Sequence, residues 1–258
     1  MHNIKAQQAF QRLLTIMDEL REQCPWDKKQ TIATLRPLTI EELYELTDAI
    51  MNEDWKGIKE ELGDMLLHIA FYARIGKEEG KFTIEEVLNA ICDKLVHRHP
   101  HIYGDVKVNN EDDVKKNWEQ LKMREGKQSV LEGVPVSLSP LIKAARIQEK
   151  AAKIGFDWPE IQPVWNKVEE EIAELKEAVQ LNDAAAIEEE LGDVLFSLVN
   201  YARFINADPD TALENTNRKF IRRFQFMEKK ALEQNLQMAS MRLEQMDVLW
   251  NEAKLVVG

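Results

Sequence analysis

The chain has 258 residues, of which 44% are hydrophobic and 31% are charged, so it can bury one large core or two smaller ones. Asp and Glu outnumber Lys and Arg by 46 to 34, and the net charge of −12 argues against binding to a nucleic-acid polymer. The two cysteines match no zinc or redox spacing, and no stretch is long and apolar enough to span a membrane, so we expect a cytoplasmic protein with reduced thiols.

The whole chain has the composition and periodicity of helices. Ala, Leu, Glu and Lys dominate, and the apolar–polar alternation of strands is absent. In chain order, the pattern predicts helices near residues 5–23, 39–52, 56–76, 84–98, 111–124, 140–153, 161–181, 184–205, 210–234 and 242–254. Because amphipathic helices with short connections pack as antiparallel neighbours, we expect an all-α protein of the helical-bundle type.

The sequence contains an internal repeat. The segment from Ile40 to Arg74 matches the segment from Glu169 to Arg203 at a constant offset, since 174 − 45 and 193 − 64 both equal 129. The stretch at 124–140 holds two Gly and two Pro and has little periodicity, as is typical of a linker. We therefore predict a first helical unit at 1–123, a linker at 124–140 and a second, homologous unit at 141–258.

Acidic residues recur at positions where a solvated helix would not place them. On a helical wheel Glu42 falls inside the apolar arc of its helix, and Glu45 lies three residues on, at the edge of the same face. The following helix repeats the spacing. Each unit is thus predicted to direct four carboxylates inward: Glu42, Glu45, Glu61 and Asp64 in the first, and Glu171, Glu174, Glu190 and Asp193 in the second.

Four adjacent inward carboxylates cannot all stay ionised without compensation, because burial and mutual repulsion both oppose the charged form. A bound cation resolves this, and ligation by oxygen atoms alone favours Mg²⁺ or Mn²⁺ over Zn²⁺. Two other interpretations of these carboxylates are open from the sequence. Thr39 could form a capping box with Glu42, and a di-iron bundle also uses inward Glu but requires Glu-x-x-His motifs that are missing here.

A later helix in the second unit carries a cationic face. Lys219, Arg222 and Arg223 are spaced i, i+3 and i+4, which suits a polyphosphate. Counting Arg218, this segment has four cations, whereas the matching Asp93-Lys94-x-x-His97-Arg98 segment has a net charge of +1 with neutral His. Trp250 could either stack on a nucleotide base or pack in the core.

The motifs together resemble a known family. The pattern Glu-Glu-x-x-Glu, a spacer and Glu-x-x-Asp occurs twice, starting at Glu41 and at Glu170, and is similar to that of the MazG family of all-α nucleoside triphosphate pyrophosphohydrolases. The Cys-Pro-Trp-Asp segment at 24–27, the Arg-His-Pro-His segment at 98–101 and the Gly-Phe-Asp-Trp segment at 155–158 add to the resemblance. It covers nearly the whole chain, in a tandem-repeat form.

The resemblance implies an enzyme that hydrolyses NTPs and dNTPs with loose base specificity to a monophosphate and pyrophosphate, by a Mg-activated water attacking the α-phosphorus. It further implies a homodimer that completes four-helix bundles. Mg²⁺, or Mn²⁺ in its place, would bind to the four carboxylates of the second unit, with the first-unit set equivalent, and Glu170 or Glu171 would act as the catalytic base. Substrate contacts are expected at Lys219, Arg222, Arg223, Trp250 and Lys254.

Two alternative functions remain open from the sequence. A non-catalytic helical regulatory or dimerisation module would be expected to lose carboxylates in at least one unit, yet both sets are complete. A narrow-specificity relative acting on dUTP, dCTP or phosphoribosyl-ATP would resemble a single unit, whereas this chain has two in tandem.

Overall fold

The structure is a computed structural model and describes residues 3–108, 110, 113, 114, 117 and 129–258. All regular secondary structure in these ranges is helical, which confirms the predicted all-α class. Clustering of contacts divides the chain into two compact units, residues 1–121 and 122–258. Most of the predicted helix at 111–124 and the first part of the predicted linker lie outside the described residues, so the domain boundaries stay predictions.

Each unit is a set of helices joined by short turns. The first contains α1 (Ile4–Gln23), α2 (Ile32–Met51), α3 (Trp55–Glu78), α4 (Ile84–Arg98) and the short α5 (Pro100–Tyr103). The second contains α6 (Pro140–Ala152), α7 (Ile161–Leu181), α8 (Ala184–Phe204), α9 (Pro209–Glu233) and α10 (Leu243–Val256). Single 3₁₀ turns occur at Asp27–Lys29 and Met238–Ser240.

Helix α2 begins seven residues before the predicted start at residue 39, and the sequence prediction was wrong there. Thr31 caps the helix, because its hydroxyl accepts from the backbone N–H of Thr34 while the Thr34 hydroxyl accepts from the N–H of Thr31. Pro37 lies inside the helix, where it removes one backbone donor without ending it. The cap at Thr31 therefore outweighs the break that proline suggests.

The two helix pairs that carry the carboxylates have the same tight turn. A residue with positive φ ends the first helix, Glu53 in one unit and Asn182 in the other, and the following Asp caps the next helix. Glu174 lies eight residues before Asn182 and Glu190 lies eight residues after it. Since paired antiparallel helices rise equally on both sides of a turn, these carboxylates face each other at the same height.

The cores lie beside these helix pairs. In the first unit, Met17 of α1 joins Leu35 of α2 and Phe71 and Ile75 of α3 in one buried cluster. In the second unit, Met227 and Ala231 of α9 pack against Leu249 of α10, while α7 packs on α8, which also contacts α6 and α9. Among the described helices, none has the length and apolar content that a bilayer span requires.

Candidate active site

Three of the four predicted carboxylates come together in each unit. Side-chain oxygens of Glu171, Glu174 and Glu190 all lie within 4.8 Å of one another, and the same holds for Glu42, Glu45 and Glu61. We call these groups the second-unit and first-unit acidic clusters. Asp64 and Asp193 stand outside this mutual distance, one turn beyond Glu61 and Glu190. The sequence predicted four inward carboxylates per unit, and the structure brings three of them together in each, whereas Glu45, Glu174 and Asp193 are exposed rather than inward.

Among the described residues, the charges that act on Glu42 and Glu61 of the first-unit acidic cluster are those of other carboxylates. Burial raises the pKa of Glu42, and the negative charges of Asp64, Glu45 and Glu61 raise it further. Burial likewise raises the pKa of Glu61, as do the charges of Glu45 and Asp64, with a hydrogen bond to Glu42 opposing the shift. Both directions express the repulsion that the sequence predicted for inward carboxylates.

The second-unit acidic cluster includes a cation, Lys167. Its Nζ lies 2.7 Å from Glu171 and 2.8 Å from Glu170, and hydrogen bonds to these two carboxylates raise the pKa of Lys167. A hydrogen bond to Glu171, burial and nearby negative charge raise the pKa of Glu174, with Lys167 acting in the opposite direction. Glu171 is only 6% exposed, so this ion pair compensates a buried charge that would otherwise be costly.

The capping-box interpretation of Thr39 is wrong, because Thr39 lies in the second turn of α2 rather than at its start. Its hydroxyl donates to the carbonyl oxygen of Leu35 and lies 2.7 Å from both His68 Nδ1 and the Tyr72 hydroxyl. Glu42 is thereby left without a capping role. The acidic clusters contain carboxylates only, which also argues against the di-iron alternative.

The donor set of each cluster fits a hard divalent cation. Three carboxylates supply oxygen ligands only, as Mg²⁺ and Mn²⁺ prefer. Burial raises the pKa of both Glu42 and Glu190, and the negative charges of the neighbouring carboxylates raise it further, so a divalent cation would stabilise the ionised forms. The charge of Asp193 also raises the pKa of Glu190, and Asp193 stands on the same face of α8, where it could add a further oxygen ligand.

A cavity of about 160 Å³ opens beside the second-unit acidic cluster. Glu171 and Asp193 form part of its wall, so it adjoins the candidate metal ligands directly. The remaining lining residues come from the segment before α7, from α7 and from α8: Trp158, Val164, Lys167, Phe196, Ser197 and Asn200. Arg203 holds that preceding segment through a two-point salt bridge to Asp157, with distances of 2.8 and 2.5 Å.

The equivalent positions of the first unit are filled. At the repeat offset, Asn200 corresponds to Phe71 and Lys167 to Leu38. Phe71 is a buried member of the first-unit core, and Leu38 packs against that core. Two polar lining residues of the second unit are therefore apolar packing residues in the first.

Sequence reasoning missed the cavity residues Lys167, Ser197 and Asn200. A signal was present, because polar residues in one half of the repeat align with Leu38 and Phe71 in the other. Carboxylate spacing alone could not reveal it, since that spacing is the same in both halves.

The predicted substrate contacts on α9 and α10 are held near the end of the chain. The Arg223 guanidinium lies 5.6 Å from the ring centroid of Trp250, and its Nε donates to the carbonyl oxygen of Gly258. Lys254 donates to the side chain of Asn251 at 3.1 Å. These contacts bring Arg223 and Trp250 together. On the same helix, Lys219 lies one turn before Arg223, and Arg222 directly precedes it.

Trp250 is partly buried, and the structure shows a packing role for it. Its ring centroid lies 5.2 Å from that of Phe220, and it packs on the cluster formed by Met227, Ala231 and Leu249. Arg218, which the charge count included, is paired with Glu214 at 3.0 Å. The cationic face therefore rests on Lys219, Arg222 and Arg223.

Comparison with known proteins places this geometry in a family. The pattern that defines the MazG nucleotide pyrophosphohydrolase domain matches residues 30–103 and 162–226, which include both acidic clusters. The nucleoside triphosphate pyrophosphohydrolase of Escherichia coli strain K12 is 44% identical over 252 residues, covering 94% of this chain and 96% of that one.

Two further relatives cover almost all of the chain. The nucleoside triphosphate pyrophosphohydrolase/pyrophosphatase MazG of Thermotoga maritima is 43% identical over 250 residues, covering 95% of both chains. The uncharacterized protein YabN of Bacillus subtilis is 48% identical over 254 residues, covering 95% of this chain and 51% of that protein. The resemblance inferred from the motifs is confirmed, and the chain belongs to the MazG nucleotide pyrophosphohydrolase family, whose domain it carries twice.

Proposed function

We propose that this protein is a hydrolase that converts nucleoside triphosphates and deoxynucleoside triphosphates into monophosphates and pyrophosphate. The observation that carries the proposal is the second-unit acidic cluster opening onto a cavity lined by aromatic and polar side chains. Two full-length relatives are named nucleoside triphosphate pyrophosphohydrolases, which supports the same reaction here. Such a reaction acts on nucleotide pools, so we also propose a cytoplasmic location.

Glu171, Glu174, Glu190 and Asp193 would hold Mg²⁺, or Mn²⁺ in its place. When bound, this cation supplies Lewis-acid stabilisation of charge on the phosphates and activation of water. The equivalent first-unit set is Glu42, Glu45, Glu61 and Asp64. Both sets offer the same ligand chemistry, so metal binding alone does not separate the two units.

The second unit positions its own groups for attack at the α-phosphorus. Lys167 bonds to both Glu170 and Glu171 and so fixes the two carboxylates from which we propose the proton acceptor comes. Glu170 is exposed and Glu171 is buried, and each has a side-chain oxygen held by the same cation. Lys219, Arg222 and Arg223 would bind the β- and γ-phosphates and stabilise the leaving pyrophosphate.

We further propose that the protein functions as a homodimer. In α4, every residue of which is described, none is buried, although Val87, Leu88, Ile91 and Leu95 are apolar. Leu62, Leu66 and Ile69 of α3 form a second exposed apolar row at helical spacing. Contiguous apolar faces of this kind are rarely left in water. A second copy would cover them and complete the bundle.

The reaction can be tested by the position of an isotope label. Hydrolysis of GTP or dGTP in ¹⁸O-water, with Mg²⁺, should place the label in the monophosphate and leave the pyrophosphate unlabelled. Mass spectrometry of the products distinguishes this from other cleavages. Formation of a diphosphate with orthophosphate, or label in the pyrophosphate, would show that the proposed bond is not the one cleaved.

A further inference from the structure

The cavity beside the second-unit acidic cluster contains an amide whose orientation is fixed. Asn200 is 6% exposed, and its Oδ1 accepts hydrogen bonds from both Nε and Nη2 of Arg203, at 3.2 and 2.8 Å. Arginine offers donors only, so the oxygen of the amide must face Arg203. The salt bridge between Arg203 and Asp157 in turn holds the guanidinium in place. If the amide were flipped, its NH₂ group would face the N–H donors of Arg203, and neither side could accept a hydrogen bond.

The nitrogen of this amide is therefore the group that Asn200 offers to the cavity. Among the described residues, its Nδ2 has no hydrogen-bond acceptor, and Asn200 lines the cavity wall. Ser197, one turn earlier on the same face of α8, also lines it. The Ser197 hydroxyl donates its hydrogen to the carbonyl oxygen of Val194 at 2.9 Å, so its oxygen is left as an acceptor.

A ligand that satisfies both groups must pair an acceptor with a neighbouring donor. A carbonyl oxygen would accept from Asn200 Nδ2, and an adjacent ring N–H would donate to Ser197 Oγ. This is the lactam edge of hypoxanthine and guanine, and also of uracil and thymine. Adenine and cytosine present an amino group and an unprotonated ring nitrogen at that edge, so they would oppose donor to donor and acceptor to acceptor.

The size and walls of the cavity suit this part of a base. Its volume of about 160 Å³ is close to that of a cavity known to hold one benzene ring, about 150 Å³. Trp158 and Phe196 supply aromatic walls, which attract any base through stacking. The polar groups of Ser197 and Asn200 would then discriminate between bases according to the hydrogen-bonding edge that each base presents.

We propose that Asn200 and Ser197 make the second unit prefer nucleotides whose base carries a lactam edge over those that carry an amino group there. The inference rests on the proposed function and adds a base preference to it. The first unit has Phe71 in place of Asn200 and His68 in place of Ser197, so it lacks this amide and hydroxyl pair at the equivalent positions.

The test compares substrates that differ only at this edge. ITP against ATP is one such pair, and UTP against CTP is the other. In the full-length protein with Mg²⁺, we expect kcat/KM to be at least about tenfold higher for ITP and for UTP than for their partners, because a polar site left unpaired discriminates strongly. Affinities for IMP, AMP, UMP and CMP, measured by calorimetry, give the same comparison without relying on hydrolysis.

Variants connect the preference to the named atoms. In Asn200→Asp, one carboxylate oxygen can retain Arg203 while the other presents an acceptor to the cavity, so the ITP/ATP ratio should fall to parity or reverse. Ser197→Ala removes the acceptor alone and should reduce the ratio without reversing it. Asn235→Asp makes the same change as the first variant in the exposed turn after α9, and it should leave the ratio as in the wild type.

The outcomes separate the inference from the proposed function. Equal kcat/KM values within both substrate pairs, with monophosphate and pyrophosphate still formed, would refute the lactam preference and leave the reaction standing. Absence of hydrolysis for all four nucleotides would refute the reaction, and the IMP/AMP and UMP/CMP affinity ratios would then decide the preference. If Asn200→Asp does not fold, the wild-type ratios and Ser197→Ala remain decisive.

Discussion

Paired substitutions in the two acidic clusters test which unit carries the catalysis. The variant Glu171→Gln with Glu174→Gln removes two carboxylates of the second-unit cluster, and Glu42→Gln with Glu45→Gln makes the same change in the first. The residues correspond at the repeat offset, so each variant is the matched control for the other. We expect the second-unit variant to lose nearly all hydrolysis and the first-unit variant to keep most of it.

The expected difference follows from what surrounds each cluster. The second unit has a cavity with an aromatic wall, and stacking of a base on such a wall would be worth about 1–3 kcal/mol. Because Arg218 is paired with Glu214, the cationic face of the second unit consists of Lys219, Arg222 and Arg223 and has a charge of +3. The corresponding residues 93–98 of the first unit have a net charge of only +1. One lost charge-assisted contact costs about 1.5–3 kcal/mol. The first unit should therefore be slower by roughly a hundredfold or more.

The assay measures monophosphate and pyrophosphate formation from GTP and ATP at saturating Mg²⁺, with thermal melting of each variant to establish that it is folded. The carboxamide replaces the carboxylate with little change of volume, so packing should survive in both variants. Rates should be compared per mole of protein at equal concentration, since a difference in oligomerisation between variants could otherwise imitate a catalytic effect.

Two results would contradict this reasoning. If the first-unit variant lost activity and the second-unit variant kept it, the cavity and the cationic face would not mark the catalytic unit. If each variant lost half of the rate, both clusters would be equally competent, and the filled positions at Leu38 and Phe71 would be irrelevant to catalysis.

Further predictions concern the metal and the charges of the clusters. EDTA should abolish hydrolysis and Mg²⁺ or Mn²⁺ should restore it, whereas full activity in chelator would exclude the proposed mechanism. In the metal-free protein, Glu42→Gln should raise the Tm at pH 7 by roughly 1–3 °C. Burial raises the pKa of Glu42 above its ordinary value of 4.5. The ionised Glu42 side chain therefore destabilises the fold only above pH 4.5, and this effect grows as the pH rises to the folded-state pKa. No gain in Tm from Glu42→Gln is expected at pH 4. Glu171→Gln, which breaks the ion pair with Lys167, should give no such gain, and an equal rise in Tm for both variants would contradict the role assigned to Lys167.

Much of the fold was predictable because it depends on local patterns. The helix at 84–98 was predicted to the residue, since Thr83 and Glu86 form a capping box and the chain turns after Arg98. The start of α2 was missed because the sequence analysis began the helix at Thr39, whereas the capping box of Thr31 and Thr34 begins it earlier. Convergence of the carboxylates was predictable because the helical wheel places Glu42 and Glu45 on one face, and because the repeat shows the same spacing in both units.

The cavity beside the second-unit acidic cluster was not predictable from those patterns. Its walls combine a segment before α7 with one face of α7 and one face of α8, and no local periodicity reports how three such elements meet. The fixed amide of Asn200 depends on Arg203 and Asp157, which are separated by 46 positions. What the sequence did contain was a difference between the repeats, since Phe71 and Asn200 occupy one register position with opposite polarity.

The difference at Leu38 and Lys167 bears directly on how two such similar clusters came to differ. Position 167 lies four residues before Glu171, so a cation there reaches the carboxylate along the helix, while a leucine at position 38 cannot. Leu38 is partly buried and packs against the core formed by Leu35 and Phe71, so an apolar side chain suits that position. Conversely, an apolar residue at 167 would leave buried Glu171 without its cation. The counter-charge and the polar cavity wall therefore occur together: the unit with apolar side chains at positions 38 and 71 also lacks the lysine that pairs with the central carboxylate of the other unit.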